Sequence, residues 1–524
     1  MWAKVLAFPW GCYTNLNYNS MKYIYTLLVF VLLASCTKEV DMVVDQPYVP
    51  SNLDVNAGGW KTFIASDISV STPLLVTDAT YLKEIDSLKT VVIPSLTAAQ
   101  KTAVQYWGAG AVMRWNEIAR ELAARYNQAP AANAAGIYPV PNAADPLADP
   151  RFPFANPPYT ARALAYLSVA QYDALVTAWK FKYQYNRKAP YVVDTTIKPL
   201  LPVTSLPTYP AEDAVVAQAS YVILLAMFPG EGPFLAEKLA EAKNVRVWAG
   251  MNVGSDVAAG VKLGGAVAAQ VMARAKTDGM SAANNQAIVP GLIANSKSLG
   301  FVNPWASQEI PARPPMLPNY GAVKTWNFDR ETMVSIRPPI PYLEGSAEFK
   351  KDLAELEAIN KNQTRNQAAI ANYWADGPGS YTPPGHWHRY ACAAGVEAKY
   401  SEVRMARMLA YVGTALMDAG IACWDTKYFY YSPRPQQFGL KTSVGLPNFP
   451  SYTSGHSTFS FAAASVLSSF FPTKTSLFSA YAQEASDSRV YGLIHFRVDC
   501  SMGGKHGKLI GDYAVKRANA DGAQ

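Results

Sequence analysis

Two stretches of this 524-residue chain carry the same residues at the same intervals. Asp173-Ala174 is followed by Trp179 and Lys182-Tyr183, and Asp418-Ala419 is followed at the same spacings by Trp424 and Lys427-Tyr428. Two further pairs come in the same order. "SLPTYPAEDAVVAQASYVILLAMFP" parallels "GLPNFPSYTSGHSTFSFAAASVLSSFFP", and "KLGGAVAAQVMARAKTDG" parallels "KLIGDYAVKRANADG". One such match means little, because the apolar stripes of helices resemble one another. Three in one order imply that a whole helical bundle has been duplicated. Aligned on the closing Phe-Pro, Asp213 falls opposite His456. The first copy therefore lacks the histidine and reads as a structural partner, with the chemistry expected in the second.

The elements are helical. Apolar residues recur with the period of a helix in "AVMRWNEIARELAARYN" and in "YTARALAYLSVAQYDALVTAWKFKYQY". Almost nothing alternates with the period of a strand, so the fold class is mainly α. Helices are expected near 211–228, 231–243 and 254–276, then near 346–374, 390–424, 456–471, 475–494 and 503–518. The length exceeds one ordinary core. We divide the chain into an upstream extension and signal (1–35), a tether with a few strands (36–87) and an N-terminal bundle that is the degenerate copy (88–283). A Pro-rich crossover (284–345) and a C-terminal bundle (346–524) complete it.

Half of the residues are hydrophobic and 16% are charged, as suits a packed globular body. The formal charge of +7 is spread without dense Lys/Arg runs, so nucleic acid is not an expected partner. From Met21 the chain reads "MKYIYTLLVFVLLASC": one Lys, a short apolar run, then Leu33-Ala34-Ser35-Cys36. The run is too short and wrongly flanked for a spanning helix. It is similar to a bacterial lipoprotein signal, which implies lipidation of Cys36 and attachment to the cell envelope through lipid alone, on the periplasmic or outer-membrane face. Residues 1–20 read as an extension from an upstream start codon. Of the remaining cysteines, Cys392, Cys423 and Cys500 show no CxxC or zinc spacing; one disulfide is possible, and sequence does not choose the pair.

Three segments of the second half concentrate polar residues in apolar surroundings. "KYFYYSPRP" holds Lys427 and Arg434, seven apart, which on a helix would share a face. Ser454-Gly455-His456 stands at an expected helix start, where free backbone N–H groups and the dipole favour an anion. "SRVYGLIHFRVD" holds Ser488, Arg489, His495 and Asp499; four apart on a helix, Asp499 could accept the proton of the His495 ring. Singly these are a solvated face, a helix cap and a surface pair. Together they supply three cations, a backbone donor nest and two histidines, which is what a multiply charged tetrahedral oxyanion requires.

The set Lys-x6-Arg-Pro, Ser-Gly-His and Ser-Arg-x5-His-x3-Asp resembles the phosphatidic acid phosphatase type 2 and vanadium-dependent haloperoxidase superfamily. All three motifs are complete, across roughly 410–515. The resemblance implies that Lys427, Arg434 and Arg489 hold the equatorial oxygens of vanadate or phosphate, with hydrogen bonds from Ser454 and the Gly455 N–H. His495 would be the axial vanadium ligand in a haloperoxidase, or the nucleophile that forms phosphohistidine in a phosphatase. His456 would be the acid–base on the far side, and Asp499 would orient His495. The substrates implied are hydrogen peroxide and halide in the first case and a phosphomonoester, with no metal, in the second. Trp424 and Phe449 resemble positions lining the halide pocket of vanadium chloroperoxidases, which favours the peroxidase. Trp179, in the copy without the histidine, argues that such a tryptophan is also core. A lipoprotein that binds an oxyanion without turnover is the third reading, and retention of both histidines and Asp499 argues against it. "SYTPPGHWHRYA" resembles a loop of the haloperoxidase-like branch at the pocket rim, giving His386 a rim or structural role and His388 a lesser one. His506 is read as a surface residue.

Overall fold

The computed structural model describes residues 46–129, 131–138 and 156–523. The signal, Cys36 and the first part of the tether lie outside the described residues. Gln46–Gln524 forms one unit built around a single large core. No strand occurs among the described residues, and no helix of theirs is long and apolar enough to cross a membrane.

Two sets of five helices follow one another with matching lengths. The first set is α1 (Ala111–Tyr126), α2 (Pro157–Tyr185), α3 (Glu212–Met227), α4 (Gly232–Trp248) and α5 (Gly254–Ala275). The second is α6 (Thr382–Glu397), α7 (Glu402–Tyr430), α8 (Gly455–Phe470), α9 (Thr475–Tyr491) and α10 (Arg497–Ala518). In order, each pair has 16, 29, 16, 17 and 22 residues. The ends are built alike. Asn156 and Ser401 cap α2 and α7 by accepting from the N–H three residues on. Both helices stop at a left-handed residue, Asn186 (φ 48°) and Tyr431 (φ 52°), whose N–H returns to the carbonyl of Lys182 or Lys427.

The two copies pack through their longest helices. α2 lies against α7, where Gly413 lets the backbones close: a Cβ there would stand 3.1 Å from the Ala165 Cα. The same buried triad recurs in each copy. Arg162 Nε and the Tyr166 hydroxyl donate to Asp278 at 2.7 and 2.9 Å; Arg407 Nε and the Tyr411 hydroxyl donate to Asp521 at 2.8 and 2.9 Å. Asp173 accepts the N–H groups of Phe63, Ile64 and Ala65, and Asp418 those of Trp326 and Asn327. Each buried carboxylate thus ties an irregular connection to its bundle.

Several expectations are corrected. The strands expected in the 36–87 segment are absent among its described residues. Residues 46–78 instead run over the body in irregular backbone, with the Tyr48 hydroxyl donating to the Tyr400 carbonyl, and a helix follows at Ala79–Ser87. The expected helix over 390–424 is two, broken at Lys399 (φ 50°) and restarted at the Ser401 cap. Pro-Pro-Gly-His-Trp is the first turn of α6, where proline's missing N–H costs nothing. The parallel "KLGG"/"KLIG" is also out of register. The offset that pairs Arg246 with Arg489 and Asp256 with Asp499 pairs Gly264 with Gly507, with no gap.

Candidate oxyanion site

Lys427 lies in the last turn of α7, but Arg434 lies beyond the helix end, so the shared helical face is not what unites them. The chain turns at Tyr431 and returns, and both cations meet the loop 449–453 instead. Lys427 Nζ donates to the carbonyls of Pro450 (3.0 Å), Ser451 (2.6 Å) and Thr453 (2.5 Å). Arg434 donates to the carbonyls of Phe449 (2.8 Å) and Ile494 (2.7 Å). The Phe449 ring lies 5.1 Å from Lys427 Nζ and 5.0 Å from the Arg434 guanidinium, and 4.8 Å from the Trp424 ring. The two aromatics are therefore one wall that packs directly on the cations.

Ser454 is the N-cap of α8, as expected, and its hydroxyl accepts from the Ser457 N–H. Gly455 and His456 open the helix, where the first N–H groups have no intrahelical partner. A Cβ on Gly455 would make only ordinary contacts, at 3.8 Å to the Phe459 ring and 3.9 Å to the Trp424 ring, so packing does not demand glycine there. Arg489, in the last turn of α9, donates to the Trp374 carbonyl at 2.8 Å, while its Nε has no partner. Ser488 turns back to the Ala485 carbonyl.

His495 and Asp499 meet as expected, at 3.0 Å from Nδ1 to Oδ2, but not across a helical turn. His495 precedes α10, and Asp499 is its third residue, where its carboxylate also accepts the Phe496 N–H. With Nδ1–H donated to Asp499, His495 Nε2 carries a lone pair; it lies 3.4 Å from Arg434 Nη1. Sequence reading missed Ser451, whose hydroxyl donates to the same Asp499 oxygen at 2.5 Å. It also missed Asp376. That carboxylate lies 4.0 Å from His456 Nε2 and 3.1 Å from His386 Nδ1, and its charge acts on Arg489. An Asp before Gly-Pro-Gly reads as a turn, and no signal in the sequence ties it to a histidine far downstream. His386 stacks on Trp374 at 4.6 Å and reaches the site through Asp376. His388 is buried against Asn116, and burial pushes it down to about 3. His506, expected at the surface, is 1% exposed within α10 with neither ring nitrogen bonded. Cys392, Cys423 and Cys500 are buried, and no disulfide joins the described residues.

The electrostatics follow from burial. Desolvation pulls Lys427 down to about 7, Arg434 to about 9 and Arg489 to about 10; Arg434 further opposes the charge on Lys427, and Arg489 that on Arg434. Burial raises Asp499 to about 6 and holds His456 and His495 well below the ordinary histidine value. Three buried cations thus face two carboxylates, and a site so built is completed by an anion. Arg489 Nε and His456 Nε2, neither of which makes a hydrogen bond, fit a tetrahedral oxyanion such as vanadate or phosphate. No cluster of three or more His, Cys, Asp or Glu able to hold a bare metal ion occurs among the described residues.

A duplicated helical bundle with cations, helix amides and two uncharged histidines around one buried space defines a class of enzymes that work on tetrahedral oxyanions. Residues 408–515, which span the second bundle from within α7 into α10, match the model of the PAP2 superfamily. Among solved structures, a bacterial vanadium-dependent iodoperoxidase has the same fold. Its TM-score is 0.52 and its identity 22%, over 69% of this chain and 91% of that one. A bacterial vanadium-dependent chloroperoxidase in its holo form aligns at a TM-score of 0.49 and 13% identity, over 73% and 96%. Among curated proteins, none matches.

Proposed function

We propose that this protein is a vanadate-dependent haloperoxidase that oxidises halide with hydrogen peroxide. The observation that carries the reading is the site itself: two neutral histidines beside a set of buried cations, one anchored by Asp499 and one whose Nε2 makes no hydrogen bond. The likeness to the iodoperoxidase fold, over 69% of this chain, supports it and makes iodide the first halide to try.

Lys427, Arg434 and Arg489 would hold the vanadate oxygens, with the Gly455 N–H and the Ser454 hydroxyl completing the cradle and His495 Nε2 as the ligand to vanadium. Bound vanadate supplies a Lewis-acidic centre that makes peroxide oxygen electrophilic toward halide. Asp499 and Ser451 keep the His495 lone pair aimed inward by taking the Nδ1 proton. His456 is neutral because burial and the Arg489 charge oppose its protonation, so its ring can accept a proton from incoming peroxide. Asp376, beside it, stabilises the imidazolium that results. Lys427 stays within reach of the same oxygens and favours negative charge there. Trp424 and Phe449 close one wall of the halide's approach and hold the two cations in place. Lipidation of Cys36 would tether the enzyme to the cell envelope, on its periplasmic or outer-membrane face.

The test uses purified residues 37–524 with and without orthovanadate. One arm follows peroxide-dependent iodination, bromination and chlorination of a dione, and the other hydrolysis of an aryl phosphate. Vanadate-dependent halogenation with weak, vanadate-suppressed hydrolysis is the expected result. Efficient hydrolysis without halogenation would make the protein a phosphatase, with His495 as nucleophile. Vanadate binding without either turnover would leave an oxyanion-binding protein.

A further inference from the structure

The first copy has inverted the charge of the site. The offset that pairs Arg246 with Arg489 also pairs Glu212 with Gly455 and Asp213 with His456, and Lys182 holds the place in α2 that Lys427 holds in α7. Where the second copy has no side chain, at Gly455, the first places that of Glu212. Its carboxylate lies 2.7 Å from Lys182 Nζ and 2.7 Å from Arg246 Nη2. Burial would raise its pKa, but Arg246 and Lys182 prevail and hold it down at about 2. The protein's own carboxylate therefore sits between the two cations, where an oxyanion would, and offsets the charge of one of them. Arg187 is taken by Asp256, at 3.2 Å.

With Asp213 and Glu402 counted, the carboxylates outnumber Lys182 and Arg246 by three to two, and Arg246 lines the same cavity as the three acids. Asp213 is 6% exposed and makes no hydrogen bond; the nearest cation, Arg246 Nε at 3.8 Å, is already engaged by Glu212. Glu402, the first residue of α7, accepts the Val112 N–H at 2.9 Å through one oxygen. Its other oxygen faces Gly110, where a Cβ would come within 2.9 Å of it. Both carboxylates line one open cavity, whose walls include Trp107, Leu206 and Tyr400. Burial raises Asp213 to about 6 and Glu402 to about 8, and the charge of Asp213 is the next cause for Glu402. Each is costly to ionise there without a cation between them.

We infer that this cavity is a second ligand site, and that it takes a small organic ammonium cation with an apolar body. A primary ammonium has three donors to divide between Asp213 and Glu402. Its carbon chain suits the Trp107 and Leu206 walls, and the aromatic rings favour a cation over a neutral alcohol. A divalent metal is disfavoured, since no cluster of metal-holding geometry occurs among the described residues. An anion would meet the two carboxylates. This inference is independent of the activity proposed for the second copy.

The probe is n-butylammonium, titrated calorimetrically at pH 9 into the full chain, with n-butanol as the neutral control. Saturable one-to-one binding is expected in the parent protein, with no binding of n-butanol. The double variant D213N/E402Q should bind at least about tenfold more weakly while keeping its melting temperature and its affinity for vanadate. If that variant fails to fold, D213N alone serves, with a smaller loss in the same direction. No saturable binding, equal binding of n-butanol, affinity unchanged in the variant, or calcium bound in preference to the ammonium would overturn the inference.

Discussion

The Asp376 carboxylate stands 4.0 Å from the Nε2 atom of His456 and at the same time holds the ring of His386. A charge at that separation favours the imidazolium by up to about 4 kcal/mol where the effective dielectric is near 20. Asp376→Asn keeps the shape and removes the charge. The expected result is a turnover number roughly tenfold lower, with vanadate affinity nearly unchanged and the acid limb of the rate profile displaced to lower pH. Turnover, affinity and melting temperature all falling together would mean that Asp376 is only a structural tie.

Asp499 fixes the tautomer of His495, and Ser451 fixes Asp499. Asp499→Asn can donate where the carboxylate accepts, so the ring loses its anchor. Vanadate affinity should fall about 10- to 100-fold, read by titration of restored halogenation. Ser451→Ala removes one neutral hydrogen bond worth about 1 kcal/mol, so its effect should be only a few-fold. Equal losses in both variants would show that the cradle, not the histidine, has been disturbed.

Most of this site was legible because its residues come in three compact runs whose spacings are set by helix ends. Ser454 stood at an expected helix start and is the N-cap, whereas His495 and Asp499 were paired as one helical turn and instead meet across the break before α10. Lys427 and Arg434 were paired for the wrong reason: tertiary return of the chain, which spacing cannot express, brings them together. Asp376, Ser451 and the depth of His506 were illegible for the same cause, since burial and long-range approach leave no local period. The duplication was readable from Asp173 and Asp418, but its register was not. "KL" next to glycine is a common surface pair, whereas the informative positions, Gly264 and Gly507, are set by how closely two backbones meet.

Lys427 gives the site a proton linkage. Burial holds its ammonium down to about 7 in the anion-free protein, and a bound anion must raise it again. Sulfate is a suitable probe, because its own charge does not change between pH 6 and 9. Binding at pH 8 should draw in close to one proton, and binding at pH 6 almost none, so affinity should weaken as pH rises above about 7. Calorimetry in two buffers of different ionisation enthalpy measures the uptake directly. Uptake that persists in Lys427→Gln would assign it to another group.

The paired glycines separate stability from function. In the second copy a Cβ on Gly507 would come within 2.2 Å of the Thr458 carbonyl oxygen; in the first, a Cβ on Gly264 would come within 2.3 Å of the Val215 carbonyl oxygen. Backbone is on the other side of each contact, so neither neighbour can swing away, and the helices must part. Each alanine substitution should cost about 1–3 kcal/mol and lower the melting temperature by a similar amount. Their functional effects should differ. Thr458 lies two residues from His456, so Gly507→Ala should displace the start of α8 and weaken vanadate binding as well. Gly264→Ala strains the copy that carries Glu212 in its anion seat, and should leave vanadate binding in the parent's range. Thermal unfolding and vanadate titration on the two variants decide it. Equal loss of binding in both would mean that the copies transmit strain through the α2–α7 contact and do not act as separate supports.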